Sequence, residues 1–156
     1  MSLDEFKQMD AKALPVGKLI SIIARGHSIY LNHNLKDLDI NATQLHLLFE
    51  ISHQSSINQE NIASRCNINK GAVARSIKKL EEKGLIVREI DCENRRQNKI
   101  SLTQKGRETL NSSVEIFNDW EQEVFKGCDM IERHTLQNVL KQIAIRTIEL
   151  NQEEER

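Results

Sequence analysis

Apolar residues recur along this chain at steps of three and four, a spacing that predicts helices over most of its length. Leu19, Ile22, Ile23, Tyr30 and Leu31, interleaved with Lys18, Arg25 and His27, form the stripe of an amphipathic helix. Pro15 suits its first turn, where a missing N–H costs no intrahelical bond, and the helix is expected to end near Leu38. A second helix begins at Asn41, which can cap it, with Gln44 placed for a reciprocal capping box. Leu45, Leu48 and Phe49 or Ile51 supply its apolar face. Two shorter helices follow. Asn58 is an N-cap for Gln59–Cys66, with Ile62 and Ala63 inward, and Asn67 and Ile68 make a turn. Asn69 caps a helix running to Lys83, and Gly84 suits the left-handed residue that closes it. Val73, Ile77 and Leu80 form that helix's stripe. At about 100° per residue, Gly71, Arg75 and Lys78 face away from it, with Ala72 and Lys79 on its flank.

The period then changes. Leu85–Ile90 and Gln97–Leu102 alternate in part and read as two strands, and the polar run DCENRR between them should close a hairpin. Thr103 can cap the next helix, whose stripe is Leu110, Val114, Phe117 and Val124. After a break at Gly127–Met130, a last helix from Glu132 to Glu149 carries Leu136, Val139, Leu140, Ile143 and Ile148. The expected class is mainly α (α+β), a single intertwined domain with a first helix in residues 1–38, short helices and a hairpin in 39–105, and C-terminal helices in 106–156.

Composition narrows the choices. A chain of 156 residues suits one domain. With 38% apolar and 29% charged residues it is too apolar for disorder. No apolar run approaches the length of a membrane span, and the acidic start MSLDEFKQMD is no secretory signal. Cys66, Cys92 and Cys128 are odd in number and widely spaced, against a disulfide framework or a cysteine-rich zinc site. A cytoplasmic protein is expected. The net charge of −1 hides an asymmetry. From Arg65 to Lys105 there are eleven Lys and Arg against five acids, or +6, leaving −7 for the remainder. A basic middle between acidic ends suits a polyanionic partner.

Two short helices joined by a tight turn and followed by a basic hairpin are the parts of a winged helix-turn-helix. The second helix of such a pair enters the major groove and shows its N-terminal side chains to base edges, so its outward residues must be small or long and flexible. Here they are Gly71, Ala72, Ala74, Arg75, Lys78 and Lys79, while Asn69, Lys70 and Gly71 offer backbone N–H groups to a phosphate. Arg95 and Arg96 in the hairpin would reach the flanking backbone or minor groove, and Asp91 would orient them. Arg65 serves equally as a phosphate contact or as a solvated helix charge.

The stretch INQENIASRCNINKGAVARSIKKLEEKGLIVREIDCENRRQNKISLTQKG resembles the DNA-binding core of the MarR family of transcriptional regulators. The matching pieces are Gln59–Ala63, Asn69–Arg75, Leu80–Ile86, the wing Asp91–Arg96 and the exit Ser101–Gly106. The resemblance implies an obligate homodimer whose terminal helices interleave and whose winged lobes grip a pseudo-palindrome of double-stranded DNA. It also implies repression relieved by a small, often aromatic, anion that prefers one lobe spacing. Candidate ligand contacts are Arg25, His27 and Tyr30 on the first helix and His46 on the second. Two departures stand out. Glu93 occupies a wing position that is often basic, and Asn69, Ala72 and Ala74 replace common Ser or Thr.

Other chemistry is poorly supplied. His27 and His33 are six apart, off the step that pairs metal ligands on one helix face, and no metal or other cofactor is expected. Cys92 stands close to two arginines that would activate it, but redox-sensing relatives carry their cysteine near the N-terminus, where this chain has none. No phosphate loop, HExxH or GxSxG appears, so an enzyme is not expected. The rival reading is a winged helix that docks onto proteins of the transcription machinery without responding to a ligand. The basic outward face weighs against it.

Overall fold

A computed structural model of the protein describes residues 2–54, 57–66, 68–90 and 98–154. It opens with a short helix, α1 (Leu3–Gln8), that apolar periodicity does not predict because none of its residues is buried. A reciprocal capping box orders it: Glu5 N–H donates to Ser2 Oγ and Ser2 N–H to Glu5 Oε2. Helix α2 (Val16–Asn34) stops short of the expected Leu38. Lys36–Leu38 tighten into a 3-10 turn, and Asp39 takes a left-handed φ of 52° that reverses the chain. Asn32 Oδ1 spans the reversal and accepts from Ala42 N–H at 2.8 Å.

Helix α3 (Ala42–Ser52) starts with the expected box, Gln44 N–H donating to Asn41 Oδ1 at 2.8 Å and Asn41 N–H to Gln44 Oε1 at 3.2 Å. Asn58 Oδ1 caps α4 (Gln59–Cys66) by accepting from Asn61 N–H at 2.8 Å. Asn69 Oδ1 caps α5 (Lys70–Glu82) through Ala72 N–H at 3.0 Å, and Gly84 leaves the helix at φ 69°.

Strands β1 (Ile86–Ile90) and β2 (Asn98–Leu102) pair antiparallel, Arg88 opposite Ile100 and Ile86 opposite Leu102. A third, one-residue strand joins them: Ile57 N–H donates to Ile100 O at 3.1 Å and Ile100 N–H to Ile57 O at 2.8 Å. Helix α6 (Gln104–Val124) begins where Thr103 Oγ1 accepts from Gly106 N–H at 3.0 Å and donates to Gly84 O at 2.6 Å. Helix α7 (Met130–Glu154) runs longer than the stripe suggests at both ends. Asp129 and Glu132 close a capping box at its start.

The chain packs as two compact units, Met1–Asn118 and Asp119–Arg156. In the first, Leu35, Leu45, Leu48, Ile51, Ile57, Ile62, Val73, Ile77, Leu80 and Ile100 are fully buried. Each such side chain contributes roughly 1.5–3 kcal/mol relative to leaving it in water. The α5 stripe thus lies inward as its spacing demands, and its opposite face is left to solvent. Val16, Ile22, Ile23 and Ile29 on α2 remain exposed. In the second unit, Glu121 pairs with Arg133, whose guanidinium stands 4.9 Å over the Phe125 ring. Ile131, Leu136, Val139 and Ile148 of α7 are exposed there. No helix among the described residues is long and apolar enough to cross a membrane.

Candidate nucleic-acid interface

The outward face of α5 follows from its inward one. With Val73, Ile77 and Leu80 buried, Lys70, Gly71, Arg75, Lys78 and Lys79 are exposed, and Ala72 and Ala74 are half-buried at the edges. Near the start of the helix these residues interlock. A Cβ added at Gly71 would stand 3.2 Å from the capping Asn69 Oδ1 and 3.5 Å from Arg75 Nη1. The Arg75 guanidinium therefore folds back over Gly71, one turn towards the cap. The absent side chain keeps the helix surface low at the point where a ligand would meet its N-terminus. Lys78 lies 3.9 Å from Glu82 with both side chains exposed, a pair worth little in water, so its ammonium stays available.

Lys79 has company the sequence did not indicate. With Lys36, Asp39, Asn41, Glu82 and Lys83 it lines a shallow cleft of about 530 Å³ beside the start of α3. Lys83 closes this cleft's side, donating to the Asp39 carbonyl and standing 3.3 Å from its carboxylate.

Arg65 has a partner within the chain. Its Nε donates to Glu50 Oε2 at 2.8 Å, so the guanidinium ties α4 to α3. Beside that pair, the half-buried Cys66 thiol is pushed up to about 11 by burial and by the Glu50 carboxylate, only partly offset by Arg65. It is a thiol, not a thiolate, at neutral pH. A thiol raised in the folded state favours that state below its ordinary range near 9 and loses the benefit as pH climbs towards 11. Cys128 is exposed. At pH 7.5 a maleimide should therefore label Cys128 well before Cys66, as read by mass spectrometry of digested protein. Equal labelling would contradict the buried environment. Cys92, Asp91, Arg95 and Arg96 lie outside the described residues.

Among the candidate ligand contacts, Arg25 and His46 are exposed, whereas His27 and Tyr30 are half-buried. The His27 ring centroid is 5.9 Å from that of Phe117, which meets Phe49 edge-on at 5.3 Å. Phe117 was visible in the sequence only as a stripe residue. Its place beside His27 and Phe49 depends on how α2, α3 and α6 pack.

The comparisons bear on this arrangement. The MarR family model matches residues 40–97, which take in α3, α4, α5 and β1. The HTH-type transcriptional regulator SarZ of Staphylococcus saprophyticus is 32% identical over 108 residues, 67% of this chain and 73% of that protein. The chain belongs to the MarR family. A crystal structure of MarR superposes with a TM-score of 0.84 at 29% identity, covering 94% of this chain and 99% of the other. Likeness to the family thus reaches beyond the matched core to the helices on either side. A mutant MarR from E. coli, complexed with operator DNA, superposes with a TM-score of 0.76 at 26% identity, over 86% of this chain and 99% of that one. This MarR-family chain is accordingly a transcriptional regulator with the winged helix of its relatives, and those relatives are regulators, not enzymes.

Proposed function

We propose that this MarR-family regulator binds double-stranded DNA as a homodimer and represses transcription from the cytoplasm until a small aromatic or anionic ligand releases it. The single observation that carries the DNA reading is the solvent face of α5, where Arg75 lies over Gly71 beside a capped helix start, with Lys70, Lys78 and Lys79 also exposed. Arg75 reads a base edge. Lys70, Lys78 and Lys79 neutralise phosphates, and Asn69 and Gly71 leave room for the backbone to approach. Ala72 and Ala74 keep the groove-facing surface small. Arg95 and Arg96, oriented by Asp91, add the wing contacts. Residues 39–105 form the DNA-binding region.

The apolar side chains exposed on α2, and separately those on α7, support the dimer, since faces of this kind are normally covered. Residues 1–38 and 106–156 supply those helices. Two-fold symmetry then places half-sites about one helical turn apart. For the ligand, Arg25, His27, Tyr30 and His46 offer a cation, imidazoles and a phenol. The aromatic neighbours Phe49 and Phe117 make His27 the best placed of the four.

The test is a fluorescence-polarisation titration against the duplex immediately upstream of the gene, beside a scrambled duplex, at two salt concentrations. Preference for the upstream duplex with a steep loss in salt is the expected result. Absence of binding to either duplex at low salt would remove the DNA reading and favour a protein-docking winged helix.

A further inference from the structure

We infer that Arg88 and Glu81 form a strut that sets the wing against the recognition helix, and that this pair determines how much the wing arginines contribute to DNA binding. The inference rests on the DNA-binding reading above. Alternation along β1 puts Ile86 and Arg88 on one face, and their partners across the ladder, Leu102 and Ile100, are both buried. Arg88 thus occupies an inward position within an apolar row. Its side chain is only 28% exposed, and its Nε is buried without a hydrogen-bond acceptor among the described residues. A cation so placed costs stability unless it is paired, and an apolar side chain of similar size commonly serves as well or better.

Among the described residues, Arg88 does have Glu81. Its Nη2 donates to Glu81 Oε2 at 3.2 Å, joining β1 to the last turn of α5. Between the two elements the chain turns at Gly84, which has a φ of 69°. Thr103 donates to the Gly84 carbonyl and holds the base of the strand. Arg88 braces the strand farther out, towards the hairpin tip. The pair also accounts for an acidic side chain on a helix meant for phosphates: Glu81 faces the wing and offsets a neighbouring guanidinium.

The strut therefore serves position more than stability, and Arg88→Leu separates the two. The variant should melt close to the wild-type temperature, because a leucine fits the apolar row and the Glu81 carboxylate left behind is exposed enough to be hydrated. Its affinity for the preferred duplex should fall by about tenfold, with a salt slope shallower by about one for each wing contact released. In the wild type Arg96→Ala should be costly; in the Arg88→Leu background it should change affinity less than about twofold, the mark of coupled residues. The charge exchange Glu81→Arg with Arg88→Glu should restore the cost of Arg96→Ala. Unchanged affinity in Arg88→Leu with an undiminished Arg96→Ala effect would overturn the strut, as would an exchange variant that folds without restoring the coupling. If the wild type itself binds no duplex, the DNA reading fails first and takes this inference with it.

Discussion

Arg75→Ala is expected to cost about 1–3 kcal/mol of discrimination between the preferred duplex and a scrambled one, while leaving weak binding to any DNA largely intact. Arg75 is exposed, sits about two turns before the end of α5, and lies against the one residue of the helix that has no side chain. A guanidinium there can present two parallel N–H groups to the O6 and N7 of a guanine, and no other outward side chain of α5 has that fork. Lys78→Ala is the matched control. A point charge facing a phosphate should weaken binding to every sequence about equally and flatten the salt slope by about one. The measurement is a pair of polarisation titrations for each variant, against both duplexes. Equal losses on specific and scrambled DNA for Arg75→Ala would reassign it to the phosphate class.

Gly106→Ala carries the largest expected effect on stability. A Cβ at that position would stand 2.0 Å from the Leu85 carbonyl oxygen, with Leu85 C at 3.0 Å. Both are backbone atoms, so no rotamer change relieves the clash. The Leu85 carbonyl is also fixed, because it accepts from Thr103 N–H at 3.1 Å while Thr103 Oγ1 bonds Gly84 O. The first turn of α6 must move off the link between α5 and β1, breaking the Thr103 contacts that close the hairpin's base. Overpacking of this kind costs roughly 1–3 kcal/mol or more. For a chain of this size that lowers Tm by roughly 2–4 °C per kcal/mol. Thermal melts at fixed protein concentration check it, since dimerisation would otherwise shift the midpoint. A Tm within a degree of wild type would mean that α6 is free to shift. Because the same contacts hold the base of the wing, the variant should also lose DNA affinity.

Local chemistry makes much of this legible in the sequence. Asn41 with Gln44, Asn58, Asn69 and Thr103 all cap the helices their spacing suggests, because a short polar side chain satisfies an N–H within three residues of itself. The α5 stripe and its exposed opposite face follow from period alone. The one-residue strand at Ile57 was not legible, since no alternation can be read from a single residue and its partner Ile100 is distant in sequence. The early stop of α2 was not legible either, because the tightening into a 3-10 turn at Lys36–Leu38 and the left-handed φ of Asp39 leave the spacing of apolar residues unchanged. For Arg65 the two readings stayed balanced in the sequence. Only the approach of α4 to α3 brings Glu50 to its guanidinium.

Sequence by itself determined helices α2 to α7, the caps at Asn41, Asn58, Asn69 and Thr103, the basic outward face of α5 and the kinship with the MarR family. These rest on contacts within a few residues or on periodicities that survive any packing. Tertiary structure alone decided which charges are spent. Arg65 pairs with Glu50, Arg88 with Glu81 and Lys83 with Asp39, while Arg75 remains on the open face of the helix. A pairing between side chains on different elements depends on distances that the chain sets only once its apolar stripes have been buried together.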